Sequence, residues 1–242
     1  MRVGDFTKMG VGAGSGYWKK AADITRCRST PKGYSLEENN MSKQLADDRG
    51  PILHGSHMIR EAVPDDAIIA VPLIMQAIGH NAFVLSGTNN DQETTSILTN
   101  FFCQENNRIS YQNTLVMEQD GVVVGMTILY EGCKARQLDV PIERAAAKKS
   151  GDSNYHISTE PETSEFYLDT LSVSPPCQRK GYGSKLIEAG CGRGRKLGHK
   201  CIALLVEIDA AAPKRLYERC GFHADYTKWI VGQEYFHMVR KL

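Results

Sequence analysis

Residues Tyr167–Ser184 read YLDTLSVSPPCQRKGYGS. An apolar β-type run stops at Pro175-Pro176 and opens into a short basic loop that carries two glycines. Gln178-Arg179-Lys180-Gly181-Tyr182-Gly183 then leads into Ser184-Lys185-Leu186-Ile187-Glu188, the first turn of a helix. That order gathers free backbone N–H groups, the positive end of a helix dipole and two cationic side chains in one place, an anion site suited to a pyrophosphate. Glycines in a strand-to-helix turn can also be a plain steric need. The chain holds no G-x-x-x-x-G-K-[ST] loop, and no G-x-G-x-x-G follows a strand near its start, so the P-loop and dinucleotide readings have no support.

A second block lies downstream. Lys200–Glu207 is a near-continuous apolar run, read as a buried strand. Asp209–Phe222, DAAAPKRLYERCGF, follows as a helix with Pro213 in its first turn and Gly221 at its left-handed end. The spacing Gln178-x-x-Gly181-x-Gly183 resembles the Q/R-x-x-G-x-G/A loop of the GNAT acetyltransferases, and Leu216-Tyr217-Glu218 ahead of Gly221-Phe222 resembles that family's second signature. The likeness covers residues 59–242 and is sharpest over 165–222.

The resemblance implies an α/β fold with a mixed, mostly antiparallel central sheet of about seven strands and helices on both faces. It also implies acetyl-CoA as co-substrate, without a metal, and transfer of its acetyl group to an amine. In the family the strand before the loop splays from its neighbour, and its main chain binds the pantetheine arm. Here that role would fall to Leu171, Ser172 and Val173, whose other reading is plain sheet core with Ser172 on the opposite face. The pyrophosphate would rest on Gln178, Arg179, Lys180, Gly181, Tyr182, Gly183 and Ser184. Tyr217 would be the general acid for the leaving thiolate, its alternative being an aromatic that packs the helix on the sheet. Asp169 and Glu207 are candidate bases, with Glu165 beside them, and each could equally be structural. The family usually carries Asn where Ala210 stands, a residue that there supports the strand-helix junction and the pantetheine arm. Gly190, Gly192 and Gly194 should weaken the helix after the loop, at about 1 kcal/mol each relative to alanine.

Composition bounds the rest. The 242 residues suffice for one sizeable domain plus an appendage. Lys and Arg number 29 against 28 Asp and Glu, a net charge of +1, so nucleic acid is not an expected partner. No apolar run is long enough to span a bilayer. Seven cysteines with no C-x-x-C pair read as scattered reduced thiols of a cytoplasmic protein, and no His/Cys/Asp cluster has metal-ligand spacing. Residues 1–57, rich in Gly, Ser, Lys and Asn, read as a disordered or loosely packed extension. Gly55-Ser56-His57-Met58 matches the scar some cleaved expression tags leave. Residues 58–242 read as the acetyltransferase domain.

Within that domain the pattern predicts strands at 59–62, 114–118, 122–130, 165–173, 201–207, 226–231 and 235–240. Helices are predicted over 65–78, 93–104, 138–149, 183–197 and 213–219. The last strands offer a surface for a homodimer. Three functions stay open: an N-acetyltransferase acting on a small-molecule or peptide amine, a non-catalytic acyl-CoA-binding module, and a toxin-type member acting on charged transfer RNA.

Overall fold

A computed structural model of the chain describes residues 57–242. The expected extension lies outside the described residues except for His57, which opens the first strand. Seven strands form one sheet: β1 (His57–Glu61), β2 (Thr114–Gln119), β3 (Val122–Glu131), β4 (Phe166–Val173), β5 (Cys201–Glu207), β6 (His223–Ile230) and β7 (Gln233–Lys241), in the order β1-β2-β3-β4-β5-β7-β6. Every neighbouring pair is antiparallel except β4 and β5. The β2–β3 hairpin turns at Asp120-Gly121 with φ of 52° and 79°, the paired positive values that a twist-compatible two-residue turn requires.

Among the described residues six helices flank the sheet: α1 (Ala67–Ile78), α2 (Asn81–Ser86), α3 (Asp91–Cys103), α4 (Ala135–Ser150), α5 (Tyr182–Lys196) and α6 (Ala211–Arg219). A 3₁₀ turn at Pro64–Asp66 leads into α1. Asn90 caps α3, its side chain accepting the Glu93 N–H at 2.9 Å. The short α2 was not anticipated, because a six-residue turn between Gly79 and Gly87 is too brief to show a helical period.

The two faces of the sheet separate cleanly. Ser172 of β4 bonds Gln76 of α1, so α1 lies over the face that also carries Tyr167. Phe166 and Leu168 point the other way and pack with Ile187 and Cys191 of α5 and with Leu216 of α6. Leu171 and Val173 join Leu186 and Tyr182 on that same face. The change of parity comes from a β-bulge. Ile128 pairs with Thr170 and Leu129 with Leu168, which leaves Asp169 as the extra residue. Tyr167, Asp169, Thr170 and Ser172 therefore all address the α1 side.

Gly190 and Gly194 of α5 have a packing reason that the sequence hid. A Cβ on Gly190 would lie 3.0 Å from Leu129, and one on Gly194 would lie 2.8 Å from the Phe166 ring. They let the helix approach the sheet, and only Gly192 of the three meets nothing within 4 Å. Among the described residues no helix is long and apolar enough to cross a membrane.

Candidate active site

β4 and β5 pair at only two positions, Phe166 with Ile202 and Tyr167 with Ala203. Beyond them the strands part, and the gap opens into a cleft of about 1070 Å³. The N–H of Ser174 donates to the carbonyl of Val124. Alternation along an antiparallel pair then turns the N–H and C=O of Ser172 toward β3, and those of Leu171 and Val173 toward the gap. The main chain of Ser172 therefore belongs to the sheet, and its hydroxyl accepts from Gln76. The Val173 carbonyl is also engaged, accepting from the side-chain amides of Gln76 and Gln178 at 3.1 and 3.0 Å. The peptide groups of Leu171 and the N–H of Val173 remain to receive an added strand-like ligand.

The gap runs into the glycine loop. The α5 ladder starts with the Lys185 N–H donating to Gly181 O, and the six backbone N–H groups from Arg179 to Ser184 find no acceptor among the described residues. Arg179 has φ 62° and Gly181 φ 82°, positive values on either side of Lys180, and the loop they bend carries these free N–H groups to a helix N-terminus, where an anion is favoured. Neither Gly181 nor Gly183 is crowded by the protein: a Cβ at 181 would meet nothing within 4 Å, and one at 183 only Leu216 at 3.4 Å. Unpaired donors beside open space fit a pyrophosphate. The Tyr182 side chain is an anchor, buried among Met117, Val124 and Leu186, with its hydroxyl donating to Gln119 at 2.8 Å. Lys180 departs from expectation, since it is exposed and does not line the cleft, whereas Gln178, Arg179, Gly181, Tyr182, Gly183 and Ser184 all do.

The three expected catalytic residues also line the cleft. Tyr217 stands on α6, edge-on to Phe222, and its hydroxyl bonds to nothing among the described residues. Burial pushes its pKa up to about 12, so the phenol is neutral and able to donate throughout the physiological range. Glu207 ends β5, exposed and without an ion pair among the described residues.

Asp169 differs. Its Oδ2 accepts from Arg108 at 2.5 and 3.1 Å and from the Tyr130 hydroxyl at 2.6 Å, and its Oδ1 accepts from Thr170 at 2.7 Å. Burial would raise its pKa, but the guanidinium and these donors outweigh burial and hold it below the ordinary carboxylate range. A carboxylate so held is a weak base.

The same Arg108 was missed from the sequence, with its other partners. It reaches Glu160 at 2.7 Å and Asp139 of α4 at 3.3 Å, while the Tyr167 hydroxyl donates to Glu160 at 2.7 Å. Burial raises Asp139 to a pKa of about 6 against the opposing pull of Arg108. No local pattern marks these residues, because Arg108 lies in a polar loop and its partners come from β4, α4 and the segment that follows α4. Glu165, the further candidate base, is turned away to buried His237, 2.9 Å from its Nε2.

This arrangement can be set beside known proteins. No curated protein sequence matches the chain. Among solved structures, an acetyltransferase is 27% identical, covering 76% of this chain and 98% of its own, with a TM-score of 0.64. An N-acetyltransferase from Staphylococcus aureus Mu50 is 20% identical over 75% of this chain and 99% of its own, with a TM-score of 0.59, and shares the fold. A sequence profile of the acetyltransferase (GNAT) family matches residues 84–222, which takes in α3, the splayed strands, the glycine loop and α6. With that match over most of the domain, the chain belongs to the GNAT acetyltransferase family and is an N-acetyltransferase.

Proposed function

We propose that this protein moves the acetyl group of acetyl-CoA to a primary amine of a small molecule or peptide by direct attack. The observation that carries the reading is one continuous cleft in which the gap-facing peptide groups of Leu171 and Val173 lead to the unpaired N–H groups of residues 179–184. The coenzyme supplies an activated acetyl thioester. The loop N–H groups, with Arg179, hold its pyrophosphate, and the Leu171 peptide groups with the Val173 N–H hold its pantetheine arm. The Tyr217 phenol donates the proton needed at the departing sulfur. Glu207, lining the cleft and free of ion pairs among the described residues, takes the proton of the acceptor ammonium. Asp169 serves the site structurally, by fixing Arg108 and Tyr130.

Calorimetric titration of the full chain with acetyl-CoA, beside an acetyl-pantetheine lacking the pyrophosphate, tests this reading. Saturable binding that needs the pyrophosphate, followed by acetylation of an amine panel, is the expected result. Binding without turnover of any amine would favour the non-catalytic alternative. No binding by the folded protein would remove the proposal.

A further inference from the structure

The acceptor end of the cleft is built by a segment that two adjacent antiparallel strands do not need. β3 and β4 are neighbours, and a connection of two to five residues or so would join them. Instead the chain runs from Gly132 to Glu165 through α4 and folds back over the α1 face. This segment is tied down on both sides. The Tyr155 hydroxyl donates to the Val84 carbonyl of α2, and Lys228 of β6 donates to the Glu160 carbonyl at 2.8 Å.

It brings two chemistries into the cleft. One is aliphatic: Ile157 joins Val84, Leu85 and Ile109 as lining. The other is acidic. The Glu160 side chain keeps 25% of its surface exposed, and Arg108 beside it is shared among Glu160, Asp169 and Asp139. One guanidinium faces three carboxylates, and the Lys228 ammonium at the Glu160 carbonyl is matched by Glu162 at 3.7 Å, so this end is net negative whether or not Asp139 is protonated. An acceptor carboxylate would meet uncompensated negative charge there. A second ammonium on the acceptor would be desolvated against the aliphatic wall.

Resting on the acetyl-transfer reading, we propose that the acceptor is a primary amine carried on an apolar arm, its ammonium received by the Glu160 carboxylate and its arm lying along Val84, Leu85 and Ile157. Glu160 binds the cation, and the proton leaves through Glu207, so the two carboxylates have separate roles.

Pentylamine, norleucine and cadaverine share an arm and differ only in an added carboxylate or a second ammonium. The full chain is expected to show a kcat/KM for pentylamine about tenfold or more above either of the others. Glu160→Gln keeps the side-chain shape, its amide oxygen accepting from Arg108 while its amide N–H turns donor toward the Tyr167 oxygen, and should raise the pentylamine KM about tenfold or more, with acetyl-CoA affinity unchanged. Val84→Asn, in the aliphatic lining, should weaken pentylamine similarly. Calorimetry of pentylamine into protein saturated with CoA gives the same comparison without turnover. A preference for norleucine or cadaverine overturns the proposal, as does a Glu160→Gln variant that binds pentylamine like the wild type. A chain that fails to bind acetyl-CoA at all would instead overturn the acetyl-transfer reading beneath it.

Discussion

At Gly183 the missing side chain distinguishes ligand from packing. Its Cβ would touch only Leu216, at an ordinary 3.4 Å, and alanine favours a helix by about 1 kcal/mol over glycine. Gly183→Ala should therefore melt no lower than the wild type yet bind acetyl-CoA more weakly, and Gly183→Asp should lose binding altogether by repelling the pyrophosphate. Unchanged affinity in a titration of folded Gly183→Asp would take the loop out of the mechanism. Tyr217→Phe removes the only proton the phenol can give. It is expected to lower kcat about a hundredfold or more with coenzyme affinity retained, as read by parallel kinetics and calorimetry. Asp139 makes a prediction about stability. Its folded pKa of about 6 exceeds the ordinary value of 3.8, so the folded protein holds a proton that the unfolded chain has already lost within that window. Stability from this group is present at low pH and declines as pH rises toward 6. Asp139→Asn should thus stabilise by up to about 2–3 kcal/mol above pH 6 and by little near pH 4, measured by urea unfolding at several pH values. Asp169, with its lowered pKa, acts in the opposite sense: its contribution is present above the ordinary carboxylate range and lost as pH falls through its folded value.

Among the elements, α5 does two jobs with its two ends. Its N-terminus presents the unpaired N–H groups, and its body must lie close enough to β3 and β4 to hold that end at the gap. Gly190 and Gly194 permit the approach. A Cβ at Gly194 would come within 2.7 Å of Leu242 and 2.8 Å of Phe166, whereas Gly192 faces open space. Gly194→Ala should destabilise by about 1–3 kcal/mol through overpacking, and Gly192→Ala should stabilise by up to about 1 kcal/mol through helix propensity. If both substitutions shift the thermal midpoint alike, the close-approach account is wrong. The helix propensity that made all three glycines look like weaknesses in the sequence is real. It is outweighed at two positions by contacts with residues far along the chain.

On the scale of the molecule, the parting of β4 from β5 creates the site. The strands are parallel for two residue pairs and then diverge, which leaves main-chain groups of β4 without a protein partner. The bulge at Asp169 adds a consequence. It keeps Leu171 and Val173 on the α5 face while Asp169 and Thr170 stay together on the α1 face, beneath the acceptor end. All of these parts lie within residues 57–242, and the family match lies within 84–222. A chain beginning at Met58 should therefore bind acetyl-CoA within a few-fold of the full-length protein, checked by calorimetry on both.

The sequence alone determined the elements whose signals are local. The glycine loop, the apolar strands, the Asp120-Gly121 turn and the α6 signature can be read because backbone conformation and side-chain period leave their mark within a few residues. They were enough to place the glycine loop, the strand before it and Tyr217 along one cleft. Tertiary structure decided what depends on distant partners. Ser172 and Lys180 could not be told from their neighbours without the strand register and the exposure of the loop. The extra residue at Asp169 leaves no mark in a short apolar strand. The Arg108 cluster joins a loop, β4, α4 and the segment after α4, and nothing local in the sequence links them. Buried charge is settled by which groups meet in a low-dielectric interior, and folding alone brings those groups together.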